Sequence, residues 1–546
     1  MMKQFLIVLL SVASVVAQND PFFPKPSYFR KHFLNVPTKV ELEPPVRLAD
    51  FVAGGKLELS LKNYLDLVMQ NNPDIGIQKV NVEFARDAIL RAFSVFDPIA
   101  TAGFTTTRQL TPSGSLLAGA DTINALTQPF SLGYTQTIST GGQYNISFTD
   151  TKTSSNSAFT TFNPQLSAGF NMSFTQPLLR GRGMFITRLP VSIARSKLKA
   201  TQYTLEDQVT QLLAVAENAY WDVVNNRENL RVQEEALKLA DAALQRAQKE
   251  LELGATSPLE IYQPEANRAN AELSVVHARH SLEQTEDALR RQIGADIDPK
   301  FREMPLVLTE TLDMPPTTEG AIDRKAAVED ALRLRPDLRS NTQNLDVDDL
   351  GIKQANNALL PSLSFTAQYG SSGLGGIFYN RTNLLDPTAP VVPIPGGLGD
   401  ALSSVFGFTY PVYGIGLRLT LPIRDRNAAS NLADALAQKK LDALRVRQNQ
   451  ENVRLQVLNV IDQVENSRES IRVAKIARDL AQKRVEADQK RYELGTTTLF
   501  FVLDSQNAFV LAESSLVTET INYRRNLLNF YLRTGRLLEE RNIVIR

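Results

Sequence analysis

The sequence predicts a mixed fold in which strands of a β-barrel, drawn from more than one chain, alternate with long α-helical rods that carry coiled-coil seams, the whole built from an internal tandem repeat. Three observations predict it. The stretch from Asn427 to Leu494 holds neither proline nor glycine, so one helix of roughly 100 Å at ~1.5 Å per residue meets no local stop. The stretch recurs earlier in the chain at a constant shift of 241, pairing Asn218 with Asn459, Val223 with Val464, Arg227 with Arg468, Arg231 with Arg472 and Gln248 with Gln489. Between the helical stretches the period changes from about 3.6 to 2, with apolar and small polar residues in strict alternation.

The helices want partners. Val453 and Val460, and one register over Val457, Val464 and Ile471, recur at sevens in the second rod, and Leu198, Leu205, Leu212 and Ala219 do so in the first, the spacing of a coiled-coil seam. Arg472, Arg478, Lys483 and Arg484 interspersed with Glu465, Glu469, Asp479 and Glu486 read as a solvated face. The register runs on through Glu252-Leu253-Gly254 and Glu493-Leu494-Gly495, two helix ends, to Gly294 and Gly535, expected C-caps of the return helices. Upstream, Pro73-Asp74 matches Pro336-Asp337 and Pro98 matches Pro361 at a shift of 263, so the first copy is longer by 22 residues between Pro98 and the rod.

Composition excludes several function classes. Formal net charge is zero over 546 residues, which leaves no basic excess for phosphates, so no nucleic acid is expected as partner. Cysteine is absent, which removes disulfides, thiolate metal sites and a cysteine nucleophile. His277 and His280 sit three apart on a helix with no evident third ligand and read as a solvated face. Neither a phosphate loop, a nucleophile elbow nor a dinucleotide fingerprint occurs, so the chain is not read as an enzyme, and no catalytic residue, cofactor or metal is expected.

In chain order, Lys3 and the apolar run Phe5 to Val16 before Ala17 predict a signal peptide over 1–17. Residues 18–55, rich in proline, read as an extended N-terminal arm. Repeat 1 is placed at 56–294, beginning with a helix from Leu57 to Phe96 broken near Pro73, then strands at about 98–108 and 165–176 and long helices at 190–253 and 258–293. In 165–176, Leu166, Ala168, Phe170, Met172 and Phe174 alternate with Gln165, Ser167, Gly169, Asn171, Ser173 and Thr175, which suits a strand with lipid on one side and water on the other; half-buried strands of a soluble sandwich are the alternative. The extra length of this copy holds two more alternating runs, Phe130 to Ile138 and Tyr144 to Asp150, around Gly141-Gly142. They are either added membrane strands or a hairpin standing above the bilayer, and the second copy, with two strands only, favours the hairpin. Residues 295–322 form a proline-rich linker. Repeat 2 spans 323–540, with strands at about 362–370 and 414–421 and long helices at 427–494 and 499–534; 371–413 reads as a long irregular loop, and 541–546 as a tail. Trp221 is expected to pack between helices. Open strand edges are not tolerated in lipid, and four strands cannot close a barrel, so several chains must share one.

This order of elements resembles the TolC family of outer-membrane efflux proteins over about 57–540. The strongest local likeness is Tyr492-Glu493-Leu494-Gly495-Thr496-Thr497-Thr498-Leu499 followed by Val502-Leu503-Asp504, similar to the family's periplasmic tip; Leu253-Gly254-Ala255-Thr256-Ser257-Pro258 is a looser match. The resemblance implies a trimeric outer-membrane β-barrel, each chain of the homotrimer giving four strands to one twelve-stranded wall and its helices to a tunnel through the periplasm. It implies a passive exit duct in a tripartite efflux or type I secretion system, with a periplasmic adaptor (membrane fusion) protein, an inner-membrane pump of RND, ABC or MFS type and outer-membrane lipid as partners. It also implies an acidic gate near the tip. Asp504 matches one of its positions, and Glu260 is the acidic residue of the first copy, equally readable as a carboxylate at a helix start. Phe501 stands where the family often has a second aspartate and Thr497 where it has an arginine, so an apolar constriction at Phe501 is expected here. Leu253, Gly254, Ala255, Leu494, Gly495 and Thr496 are the expected adaptor contacts. A periplasmic coiled-coil adaptor or binding module is the alternative reading.

Overall fold

The computed structural model describes residues 44–114, 118–158, 160–254, 257–310, 322–381 and 390–545; the signal peptide and most of the N-terminal arm lie outside them. The chain opens with a two-residue strand β1 (Val52–Ala53) and β2 (Lys56–Leu59), then α1 (Leu61–Asn71) and α2 (Pro73–Phe93). The helix expected from Leu57 therefore starts four residues later. Leu57 and Leu59 alternate with Lys56 and Glu58, a strand pattern, and the Ser60 hydroxyl caps the helix by accepting from the Asn63 N–H at 3.2 Å. Asn72 caps α2 in the same way, ahead of Pro73 at its first turn.

Strands β3 (Ile99–Phe104), β4 (Thr107–Pro112), β5 (Thr122–Thr137), β6 (Gln143–Ser155) and β7 (Phe162–Pro177) follow. Next come α3 (Leu189–Glu252), α4 (Tyr262–Gln292) and the short β8 (Leu306–Leu308). The second half holds α5 (Arg324–Leu334), α6 (Pro336–Ala358), β9 (Ser362–Arg381), β10 (Val391–Ile394), α7 (Leu398–Phe406), β11 (Tyr410–Thr420), α8 (Arg426–Glu493) and α9 (Leu499–Thr534). The 64 and 68 residues of α3 and α8 make rods of about 96 and 102 Å. Gly294 and Gly535 take positive φ, and the N–H of each following residue returns to a carbonyl five positions back (Ala295 to Arg290, Arg536 to Tyr531), the Schellman caps expected from sequence.

The large sheet departs from expectation. Its order is β10-β9-β7-β6-β5-β3, with β11 beside β10 on the same edge of β9 and β4 beside β3 on the same edge of β5. Six strand columns result, not four. The hairpin of 130–150 does not stand apart: β5 pairs with β3 from Ile99↔Thr135 to Phe104↔Phe130, and β6 pairs with β7 from Gln143↔Thr175 onward. The register keeps each face in line, because Tyr134, Ile146 and Met172 line up across three strands while Thr135, Asn145 and Ser173 line up behind them, and a slip of one residue would turn each apolar set to the other face; Asp150, between Phe130 and Ala168, puts one carboxylate on the mainly apolar face. The irregular loop expected over 371–413 is instead the upper half of β9, β10 and the apolar helix α7, with 382–389 outside the described residues. α7 lies on the apolar face, where Ala401 and Val405 are buried with Ala168 against Phe148 and Phe170. Gly373 and Gly375 make room for it, since a Cβ would fall 2.0 Å from the Ala401 carbonyl oxygen and 2.2 Å from that of Gly397.

The principal core sits midway along α3. Val209, Leu213, Ala216, Tyr220, Val223 and Val224 meet Leu57, Leu59, Tyr64, Leu65 and Val68 from the start of the chain, Leu289 and Ile293 from the end of α4, and Leu306 and Leu308 from β8. Burying a leucine is worth about 1.5–3 kcal/mol, which orders both the end of the arm and the first half of the linker as a small sheet in which β2 pairs with β1 and, in parallel, with β8. In the second rod the expected valine seam is buried as read, Val453, Val457, Val460, Val464 and Ile471 all packing against α5, α6 or α9. In the first rod the buried row is displaced by a residue, because Leu198, Leu205, Leu212 and Ala219 are only half-buried while Val209, Leu213, Ala216 and Tyr220 are enclosed. Trp221 packs in this core, its indole N–H donating to Glu217 at 3.4 Å.

Candidate functional site

Two features can carry function: the far end of the helices and the two-faced sheet. At the helical end, α8 stops with Gly495 at φ 71°, where the Thr496 N–H returns to the Arg491 carbonyl and the Gly495 N–H to that of Tyr492, both at 2.9 Å. Gly254 takes φ 67° at the end of α3. A Cβ at either glycine would meet nothing within 4 Å, so backbone conformation alone demands glycine there. Leu253 and Leu494 are left 83% and 79% exposed at the two apices, large apolar side chains with little cover from the described residues. Ala255 lies outside the described residues.

The two tips are joined side by side. The Tyr492 hydroxyl donates to the Glu250 carboxylate. Arg246 lies over the Tyr492 ring, its Cζ 5.1 Å from the centroid, and meets Glu250 at 3.3 Å and Glu493 at 3.7 Å. Partial burial, with the Glu250 and Glu260 charges adding to it, pushes the Tyr492 hydroxyl up to about 12, so it remains a donor at every physiological pH. Asp504 is paired with Arg484 at 2.7 Å, and Arg484 and Arg491 both approach the buried Asp488 at 3.5 Å. Since the Asp504 and Arg484 side chains are each half exposed, their pair is worth ~0–1 kcal/mol and cannot lock the tip unaided. Phe501 is half exposed and meets Phe500 edge to face at 5.6 Å. Glu260 is exposed in the helical turn Pro258–Ile261, on the other hairpin from Asp504.

Sequence reading named Asp504, Phe501 and the tip residues but missed Arg484, Arg246 and Glu250. Arg484 carries a usable signal: it lies ten residues before Leu494 and Asp504 ten after it, and positions equidistant from the turn of a helical hairpin face each other. Glu250 carries none, because its contact joins two hairpins 242 residues apart.

In the sheet, one face at the level of β3 and β11 holds Thr101, Ser131, Asn145, Ser147, Asn171, Ser173, Thr366 and Gln368, with Arg418 as its one charge among the paired residues. The other holds Phe104, Leu132, Phe148, Met172, Phe365, Ile415, Leu417 and Leu419. Ile415, Leu417 and Leu419 are exposed at 81%, 69% and 61%. Such a surface is built for an apolar surround on one side and water on the other. No helix among the described residues is long and apolar enough to cross a membrane.

A two-faced sheet of this kind, continuous in the chain with helical rods of about 100 Å, defines a channel-forming class. The outer membrane efflux protein family model matches residues 64–295 and 327–536, and the chain belongs to that family. Among curated relatives, it is 24% identical over 333 residues to the outer membrane efflux protein BepC of Brucella suis, a match covering 61% of this chain and 65% of BepC. It is 22% identical over 382 residues to the outer membrane protein TolC of Vibrio cholerae, covering 69% and 78%. Among solved structures, CusC, described with its folding and transmembrane channel formation, superposes with a TM-score of 0.62 at 15% identity over 91% of this chain and 99% of CusC. The Campylobacter jejuni CmeC outer membrane channel does so with 0.61 at 17% identity over 96% and 98%. The fold is TolC-like, and the family is one of channels rather than enzymes.

Proposed function

We propose that this protein is the outer-membrane component of a tripartite efflux or type I secretion system, a passive exit duct from periplasm to outside that works as a homotrimer built on a tandem duplication. The observation that carries the reading is the two-faced sheet continuous with the long helices. Its polar face is small, hydroxylated and nearly uncharged, which suits a water-filled bore, and its apolar face suits lipid. α7 covers the end of that face farther from the helices, over Ala168, Phe148 and Phe170, while nearer the helices Ile415, Leu417 and Leu419 are left exposed, which supports lipid as the surround there. The exposed leucines and the glycine turns at Leu253, Gly254, Leu494 and Gly495, with Thr496 and Ala255, form the surface for a periplasmic adaptor. Asp504, Phe501 and Glu260 narrow the periplasmic end. The chain holds no nucleotide motif, so an inner-membrane pump supplies the energy.

Purified protein reconstituted into planar bilayers tests this. Stepwise ion conductance without nucleotide, from a particle of three chains, is the expected result. A monomer that stays dispersed without detergent and neither binds nor permeabilises bilayers ends the reading.

A further inference from the structure

We infer that each chain places six strands, not four, in the membrane wall, so that three chains close an eighteen-stranded barrel with a bore wide enough for polymeric cargo. The inference rests on the trimeric channel reading and deepens it. The β5–β6 hairpin occupies the same level as β3 and β7: its turn at Gly141-Gly142 lies beside the exit from β7, with the Gly183 N–H on the Thr140 carbonyl at 3.0 Å, and its strands pair in unbroken register with β3 on one side and β7 on the other. If β3 bounds the lipid-crossing level, so do β5 and β6. β3 and β11 are then the two free edges at that level, each paired on one side only. They suit each other. β11 runs toward the helices and β3 away from them, and an even number of alternating strands lets β3 of one chain meet β11 of the next antiparallel, as barrel closure needs.

The size follows from the strand count. At ~4.8 Å between strands and a tilt of ~40°, eighteen strands give a wall ~36 Å across between backbones, against ~24 Å for twelve. The helical part sets an independent requirement. Four helices pack side by side at each level (α2, α3, α6 and α8 near the sheet), and twelve helices at ~9 Å spacing make a ring of ~35 Å. The eighteen-stranded wall continues that ring without a step. With side chains allowed for, ~25 Å of bore remains, lined by Ser, Thr, Asn and Gln with Arg418 as its charge, which suits a polysaccharide, an extended polypeptide or a compact solute better than a small ion.

Because the chain has no cysteine, disulfide trapping tests this cleanly in the full-length trimer. Ala102→Cys on β3 is combined with Tyr413→Cys, Ile415→Cys, Leu417→Cys or Leu419→Cys on β11, and separately with Met172→Cys on β7. Six strands predict that at least one β3–β11 pair links chains into dimers and trimers on a denaturing gel, and that Ala102→Cys with Met172→Cys does not link. Neutral polymers entering from the strand side are expected to be excluded only above a hydrodynamic diameter of ~25 Å. A conducting trimer in which Ala102→Cys joins Met172→Cys within one chain, or joins no β11 position, overturns the six-strand wall and leaves the channel reading intact; a monomer without conductance overturns both.

Discussion

At the residue scale, the most informative charges are a facing pair of aspartates. Asp337 is half-buried, and burial alone would raise its pKa, but the Arg335 guanidinium grips both carboxylate oxygens at 2.7 and 3.0 Å, with the Leu338 N–H and Asn449 adding to it, and the net effect holds the group below the usual carboxylate value. Asp207 has no such fork. Burial, then the Asp337 charge, raise it despite Arg335 nearby and the Gln211 amide at 2.7 Å. The signs follow by linkage. Asp337 contributes stability above the unfolded value near 4, lost as pH falls through its lower folded value, whereas ionised Asp207 detracts from stability above its own raised value. Asp337→Asn is expected to lower the thermal midpoint most at pH 7, with the loss fading in acid; Asp207→Asn is expected to raise it at pH 7, with the gain fading as pH falls. Melting curves from pH 3 to 8 separate the two. Tyr492 gives an alkaline counterpart. Its contribution is complete below about 10 and is lost as pH rises toward about 12, so Tyr492→Phe should remove one late-ionising tyrosine from an absorbance titration and free the tips from each other at neutral pH, read by faster proteolysis near Gly254 and Gly495.

At the element scale, packing decides what periodicity leaves open. Leu213 is 1% exposed in the core that joins α3 to the small sheet, and Leu213→Ala should cost about 2–5 kcal/mol, where Leu212→Ala, half-buried one position away, should cost far less; denaturant midpoints of the two variants measure the register directly. Gly373→Val drives a side chain into the Ala401 carbonyl. It should unseat α7 while leaving the β3–β7 register intact, so protease added from the strand side is expected to cut between residues 398 and 409 in the variant and to spare the parent. The six-column sheet could not be read from alternation alone. Phe130 to Ile138 and Tyr144 to Asp150 were legible as strands, but their place between β3 and β7 depends on a cross-strand register that links residues tens of positions apart, and the simpler second copy argued against it. Likewise the 371–413 stretch reads as loop because its glycines are numerous, while Gly373 and Gly375 owe their identity to a helix lying on them.

At the scale of the whole molecule, the distribution of charge separates two tasks. The polar face of the sheet is nearly neutral, so it has little means of selecting ions, whereas the far end of the helices carries the Asp504–Arg484 pair beside Phe501 in sequence and, on the other hairpin, Glu250 and Glu260. Selectivity and closure are therefore expected at the helical end. Phe501→Ala should raise single-channel conductance, and Asp504→Asn should lower the cation-to-anion permeability ratio with little change in conductance; reversal potentials in a salt gradient read the second effect. An unaltered conductance in Phe501→Ala counts against an apolar constriction there.

The sequence by itself determined the rods, their turns, the alternation of the strands and the family, because each is written in local spacing: a heptad, a glycine at a helix end, a period of two. Tertiary structure decided how many strands share the sheet, which row of the first rod is buried, how the ends of the arm and linker meet as a small sheet, and which charges face one another at the tips. Those depend on contacts between segments far apart in the chain, where many registers satisfy the same local pattern and the choice among them is made by burial and hydrogen-bond pairing across elements.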